Sequence, residues 1–382
     1  MRPVYLDYNA TTPLLPEVRA AMEPYWLERF ANPASPHLLG KEAADAVAEA
    51  RATIAQILGI SPRELIFTSG ATEALNLAIQ GLAAAHQASN RRHILVAATE
   101  HKAVLEPCLD LRERGFEVEI LPVTPEGLVE PEILQAMLRP ATLLVAVMLA
   151  NNETGVLQPL PQLVEIAHHK GAFFLCDTTQ AAGKIPLSLA ELGVDMAVLS
   201  AHKFYGPKGV GALYIRRRSG IRLRPLIRGG GHEEGLRSGT LPVPLIIGMA
   251  AALQTVSHQL PTTMPRLERL RDHLETRILE LYPQAQVHGK GARRLPNTTN
   301  IAFPGLRASD LLARMPFLAV ATGSACTSAR PEPSHVLLGM GVPPDIAKSS
   351  LRFSLGLPTT EKDIELALYY LENAIKSCSI HT

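Results

Sequence analysis

Lys203 stands directly after an apolar run, Asp195 to Leu199, in the sequence Ser200-Ala201-His202-Lys203, with Tyr205 close behind. Burial and cationic neighbours disfavour the charged form of an amine in such a place, and the neutral amine condenses with a carbonyl. Taken alone, a lysine here would as readily snorkel from a strand end to water. Asp177 changes the weighting. It closes another apolar run, Ala172 to Cys176, ahead of Thr178-Thr179-Gln180. A carboxylate at a pyridinium nitrogen and a lysine in Schiff-base linkage are what pyridoxal 5'-phosphate needs to act as an electron sink. By itself Asp177 would cap a helix or join an ion pair.

A phosphate needs its own seat. Thr68-Ser69-Gly70-Ala71-Thr72-Glu73 follows Leu65-Ile66-Phe67 and opens a helical pattern. Small residues, hydroxyls and backbone N–H groups at a helix start bind an anion, although Ser69 or Thr72 could equally form a capping box. Ser200 and His202 could complete the seat. Cys326 lies in Gly323-Ser324-Ala325-Cys326-Thr327-Ser328-Ala329, small residues followed by Arg330-Pro331-Glu332-Pro333. That composition predicts an exposed loop on which a thiolate can react; the alternative is an incidental loop cysteine. Cys176 reads as strand core, Cys108 as a helix residue and Cys378 as part of the tail, none with chemistry. Arg352, in Leu351-Arg352-Phe353, suits a carboxylate, with a structural salt bridge as the rival.

The elements that must position these groups alternate. His93 to Ala97, Thr142 to Leu149, Ala172 to Cys176, Asp195 to Leu199 and Val210 to Ile215 read as buried strands. Ala71 to His86, Ala103 to Arg114, Pro131 to Leu138 and Leu160 to Lys170 read as helices, as does Gly40 to Leu58 with its charges on one side. The order predicts an α/β fold with a mainly parallel sheet between helices. Four strands end in polar groups: Thr99-Glu100-His101, Asn151-Asn152-Glu153, Asp177 to Gln180 and Ser200 to Lys203. Ligands bind beyond the carboxyl ends of such sheets, so four endings on one edge predict a lined pocket. Beyond residue 242 a helical segment runs to Tyr282, with interruptions expected at Pro261 and Pro265. A smaller α+β unit follows: strands Thr298 to Phe303, Leu318 to Ala321 and Leu351 to Leu355, with helices Ala308 to Met315 and Thr360 to Ser377. The predicted organisation is an N-terminal segment (1–15) packing with the small domain, a large cofactor domain (16–258) and a small domain (259–382) carrying the cysteine loop.

Bulk properties exclude several classes. The chain has 382 residues, 47% apolar and 19% charged, with net charge +1; that is a globular composition with no basic excess for nucleic acid or anionic membrane. Arg216-Arg217-Arg218 is the densest basic cluster and reads as a solvated strand end. Four cysteines without CxxC spacing speak against a zinc site and a disulfide framework. Polar residues in the first ten interrupt any signal-peptide core, and the longest apolar runs look too short for a bilayer. A cytoplasmic protein is expected.

The sequence resembles a known family along nearly its whole length. The matching stretches are Tyr5 to Pro13, Asn32-Pro33-Ala34-Ser35, Thr68 to Glu73, Thr99 to Lys102, Asn151 to Glu153, Asp177 to Gln180 and Ser200 to Gly209. Gly229 to Glu233, Arg237 to Thr240, Gly323 to Ala329 and Arg352 to Gly356 complete the set. Together they are similar to the class-V, fold-type I pyridoxal-phosphate enzymes, and within them to the cysteine desulfurases of iron–sulfur cluster assembly (NifS/IscS-like). The resemblance implies a seven-stranded, mainly parallel sheet and a homodimer. Lys203 would carry the cofactor as a Schiff base and act as acid and base; His101 would stack on the ring and move protons. Asp177 would pair with the ring nitrogen and Gln180 with the phenolic oxygen. Ala71, Thr72, Ser200 and His202 would hold the phosphate, joined by Thr240 of the partner subunit. Asn152 and Arg352 would fix the carboxylate of L-cysteine, and Cys326 would take its sulfur as a persulfide, leaving alanine. The acceptors would be iron–sulfur scaffold or sulfur-carrier proteins. No resident metal is implied, only a transient iron–sulfur contact at Cys326. Thr178, Ala201 and Thr322 depart from the residues common in relatives (Ala, Gly and Ser) without removing a functional group.

Two rivals share the fold: a transaminase or lyase with Cys326 incidental, and a selenocysteine lyase. A third is a non-catalytic scaffold, which would be expected to lack the aldehyde-binding lysine or the phosphate seat.

Overall fold

The apolar runs become strands buried on both faces, as a sheet between two helix layers requires. The computed structural model describes residues 2–322 and 332–379. A two-residue strand, β1 (Val4–Tyr5), precedes the main sheet. The sheet comprises β2 (Leu65–Thr68), β3 (His93–Ala97), β4 (Glu117–Leu121), β5 (Thr142–Ala146), β6 (Phe173–Asp177), β7 (Met196–Ser200) and β8 (Gly211–Ile215). Their order is β2-β8-β7-β6-β5-β3-β4. Pairing is parallel from β4 through β7, and β8 is antiparallel to both its neighbours, β7 and β2. The carboxyl ends of β2, β3, β5, β6 and β7 therefore share one edge.

Alternate residues of each strand serve opposite layers. Leu95, Val145, Phe174 and Ala197 join one core, while Ile94, Val96, Leu144, Leu175 and Val198 join the other. β4 was not foreseen from the sequence. As an edge strand it buries Val118 and Leu121 but exposes Glu117 and Ile120, so it carries no continuous apolar run.

A second sheet, β12-β10-β9, is built from β9 (Gln286–Val287), β10 (Thr298–Ala302) and β12 (Ser350–Ser354), all antiparallel. β1 pairs in parallel with β11 (Leu318–Ala319), and Val4 and Leu6 pack with Phe303, Phe353 and Leu371 in a separate core.

One helix, Val243–Leu281, links the two cores: Ile246 to Val256 pack in the first and Leu267 to Ile278 in the second. The expected breaks at Pro261 and Pro265 are absent. Both prolines lie on the exposed side, where water can satisfy the carbonyls that lose their N–H partners, and the buried leucines hold the axis. This helix is also long and apolar enough to cross a membrane by length and composition, contrary to the expectation that no stretch would be. Its apolar residues are taken up by the two cores.

β8 begins against the carboxyl edge, where Gly211 pairs with both Thr68 and Ser200. A Cβ at Gly211 would lie 2.5 Å from the Leu199 carbonyl oxygen and 2.6 Å from Gly70 Cα. Backbone cannot yield as a flexible side chain does. Gly211→Ala is expected to lower stability by about 1–3 kcal/mol, read as a lower urea midpoint at unchanged slope; an unchanged midpoint would show that the strands separate freely.

Candidate active site

The carboxyl edge opens into a cavity of about 640 Å³, a volume typical of small-molecule sites. Ala71 and Thr72 line it from β2's connection, and His101 from β3's. Asn152 follows β5, Asp177 and Gln180 follow β6, and Ser200, His202 and Lys203 follow β7. Arg352 enters from β12 in the second unit. Thr240 is exposed and does not line the cavity of its own chain. Cys326, within 323–331, lies outside the described residues.

The helix Ala71–Ala85 starts at Gly70 without a side-chain cap. Neither Ser69 nor Thr72 takes the capping role left open by the sequence, so the first-turn N–H groups remain for an anion. Glu73 sits in that turn. Burial pushes its carboxyl up, but bonds from Arg237 Nε (2.9 Å) and the Ser69 amide (2.7 Å) hold it below its usual value overall. Arg237 thereby offsets a negative charge beside the anion seat. His202 faces the seat with its proton affinity reduced to a pKa of about 4, by burial and then by Lys203, Lys208 and Lys184. It serves as a neutral ring whose Nδ1 meets Thr11 Oγ1 at 3.2 Å.

Lys203 Nζ donates to the carbonyl oxygens of Asn9 and Ala10, both at 2.8 Å. The next turn places Tyr205 at φ +67°, a left-handed conformation costly for a tyrosine. It is held there by Thr12 Oγ1, which accepts from the Tyr205 amide, and by the Leu357 amide, which donates to the phenol oxygen, each at 2.7 Å. Asp177 Oδ1 accepts from the Thr179 amide at 2.8 Å. His101 caps the helix Lys102–Asp110, its Nδ1 accepting from the Ala103 amide at 3.0 Å. The neutral ring therefore carries its proton on Nε2. Burial lowers its proton affinity; Asp177 opposes that, while Lys203, His335 and Lys102 add to it.

Arg352 makes the structural salt bridge weighed from sequence. Its Nη2 donates to Asp7 Oδ1 at 2.6 Å and its Nη1 to the Asn152 carbonyl at 3.0 Å, while Nε is buried without a partner among the described residues. Asn152 Oδ1 and Thr179 Oγ1 are likewise buried and unpartnered. Native proteins rarely leave such groups unsatisfied. These orphans, an amine and a carboxylate in one cavity, and an uncapped helix start fit a ligand bearing an anion, a basic ring nitrogen and a carbonyl carbon.

The sequence reading gave no role to Asn9, Glu100, Glu153, Lys184 or His335. Glu153 is buried and accepts from Ser334 Oγ at 2.5 Å; burial pushes its carboxyl up. His335 lines the cavity and its Nε2 donates to the Glu100 carbonyl at 2.9 Å. Glu100 and Glu153 stand inside motifs noticed in the sequence, and the adjacent cavity residues could have flagged them. Cys176 is buried strand core and Cys108 a buried residue of the helix Lys102–Asp110, and burial raises both thiols, Cys108 to about 12.

The sequence pattern of the aminotransferase class-V family matches residues 4–367. The chain belongs to that family. Its relatives include the cysteine desulfurase IscS of Rickettsia bellii (strain OSU 85-389), 43% identical over 96% of this chain and 89% of that protein. Among solved structures, a NifS-like protein superimposes with a TM-score of 0.92 at 38% identity, covering 98% of this chain and 100% of that one. SspA in complex with cysteine gives 0.82 at 33% identity, covering 92% and 98%. The branch is therefore that of the NifS/IscS-like cysteine desulfurases.

Glu100 yields a pH test. Its Oε1 accepts from the Met148 amide at 2.5 Å, and its Oε2 is buried with no partner among the described residues. Burial, then Asp177, pushes the carboxyl from 4.5 up to about 8. Between those values the folded protein keeps a proton that the unfolded chain releases, so this group's contribution to stability falls as pH rises through the window. Glu100→Gln is expected to flatten the decline, gaining on the parent by at most on the order of 5 kcal/mol by the top of the window. Thermal midpoints across that range check it; parallel curves for the two proteins would contradict it.

Proposed function

We propose that the cavity binds pyridoxal 5'-phosphate and that the protein is a cysteine desulfurase, moving the sulfur of L-cysteine to Cys326 and releasing L-alanine. The observation that carries this reading is the convergence of Lys203, Asp177 and an uncapped helix start on one cavity, in a chain 43% identical to a cysteine desulfurase. Bound there, the cofactor would delocalise the negative charge developing at the substrate's Cα.

The chain's own groups divide the work. Ala71, Thr72, Ser200 and His202 hold the phosphate through backbone N–H groups and neutral donors. Asp177 keeps the ring nitrogen protonated, and Gln180 donates to the phenolic oxygen. Lys203, whose amine donates to the Asn9 and Ala10 carbonyls, would hold the aldehyde carbon and afterwards carry protons to and from the substrate. His101, protonated on Nε2, would stack on the ring and donate. Arg352 Nε and Asn152 take the substrate carboxylate, Asp7 keeping the guanidinium in place. The Cys326 thiolate attacks the substrate sulfur; the S–S bond forms as the Cβ–S bond breaks, the substrate thiol's proton passes to Cβ, and return of the Cα proton completes alanine. Cysteine as substrate is supported by the cysteine held in the SspA structure.

We also propose a homodimer in which Thr240 completes the partner's phosphate site. Leu27, Phe30 and Leu38 are 82%, 70% and 71% exposed, a hydrophobic surface suited to a second subunit. The sulfur passes to a scaffold or carrier protein for iron–sulfur cluster assembly or other sulfur transfer, Cys326 making at most a transient iron–sulfur contact. The working division is 1–15, 16–258 and 259–382, in a cytoplasmic enzyme without nucleic-acid or membrane partners.

Alanine and sulfide released from cysteine test the reading directly. Cys326→Ala is expected to keep the visible band of the bound cofactor and lose sulfur release; retained release would end the persulfide step. Lys203→Ala is expected to lower turnover by roughly 10³-fold or more, and parental turnover in that variant would end the assignment of the amine.

A further inference from the structure

Lys184 is a second amine beside the cavity with no place in the chemistry above. It does not line the cavity, whereas Gln180, one turn earlier in sequence, does. Instead it borders a small hollow of about 20 Å³ with Tyr205 and Asn297. Its Nζ donates to Asn9 Oδ1 at 2.9 Å and to Gln180 Oε1. Both acceptors are neutral amide oxygens, and no carboxylate is paired with it among the described residues.

A carboxamide can turn over, exchanging its donor and acceptor ends at little cost unless its neighbours distinguish them. A protonated lysine amine has only N–H groups to offer, and on the other side the Asn9 carbonyl can only accept. A flipped Gln180 would set its NH2 group against those N–H groups. The oxygen is thus committed to Lys184 and Nε2 to the other side, where it donates to the Asn9 carbonyl at 3.0 Å. That carbonyl also accepts from Lys203 Nζ. One N–H of Gln180 is used on Asn9, leaving the second for a ligand. The same contact fixes the Asn9 amide, whose Nδ2 donates to the Asn152 carbonyl at 3.1 Å and to Thr298 Oγ1 at 2.9 Å.

We propose that Lys184 is a positioning residue that locks the Gln180 carboxamide with its remaining N–H directed at the phenolic oxygen of the cofactor. This rests on the cofactor reading given above. Placing the lysine here has a cost: burial, then the charges of Lys203 and Arg352, lowers its proton affinity well below that of an exposed amine. An apolar replacement removes that cost, so folding is not expected to be the limiting loss.

The test uses the cofactor-loaded protein with Lys184→Met, Gln180→Ala and both together, reading the ratio of the cofactor's absorption bands at fixed pH alongside kcat and KM for cysteine. Lys184→Met is expected to shift the band ratio in the same direction as Gln180→Ala and to lower kcat about tenfold, the scale of one hydrogen bond to a charged oxygen. KM should change by less than about twofold. The double variant should be no worse than Gln180→Ala alone, because both changes remove the same interaction. A parental spectrum in Lys184→Met, or losses that multiply in the double variant, would overturn the proposal while leaving the cofactor reading intact. A parent protein that acquires no band with added cofactor would remove both. Lys184→Leu, read identically, serves if the methionine variant does not fold.

Discussion

Asn9 joins the parts that make the cavity. It is 1% exposed. Its amide N–H donates to Ser354 Oγ at 2.9 Å, and its carbonyl accepts from Gln180 Nε2 and Lys203 Nζ. Its Oδ1 accepts from Lys184 and, at 3.3 Å, from Asn297 Nδ2; its Nδ2 reaches Asn152 and Thr298. The large sheet's carboxyl edge and the second sheet thus meet on one side chain of a segment whose only strand is two residues long. Buried polar networks of this kind hold geometry because any displacement leaves several groups unsatisfied together. The distance between Arg352, carried on β12, and Lys203, after β7, depends on that joint.

The cations around the cavity are held in different ways. Arg352 is tied to Asp7, an ionic partner that fixes the guanidinium at the cavity wall. Lys203 and Lys184 rest on carbonyl and amide oxygens. Breaking a bond to a neutral dipole strands no charge, whereas parting the Arg352–Asp7 pair would strand one.

Legibility in the sequence followed locality. The five strands inferred for the large sheet stand where apolar runs meet polar residues, and the polar endings that predicted a pocket do line one. β4 escaped because an edge strand lacks a continuous apolar run, and the prolines of Val243–Leu281 misled because their solvent-facing position is a tertiary fact. Asn9 and Lys184 gave no signal as a pair: they are 175 residues apart, and neither has a local pattern that reports burial against the other. Thr240 acquired a role through resemblance alone, since nothing in its own chain brings it to the cavity.

Glu100 shows how burial assigns work that residue type does not. Two carboxyls, Glu100 and Asp177, lie close enough at the carboxyl edge to repel one another. Asp177 has a backbone N–H to accept and opens onto the cavity. Glu100 is enclosed, has one oxygen without a donor among the described residues, and is pushed by burial toward its neutral form. A neutral Glu100 puts no second negative charge beside Asp177, and its backbone carbonyl is left to anchor His335. Environment sets the two carboxyls apart, so that one can face a cation while the other packs as a polar filler. The motif Thr99-Glu100-His101 thus contributes a catalytic candidate and, beside it, a carboxyl whose value lies in not being charged.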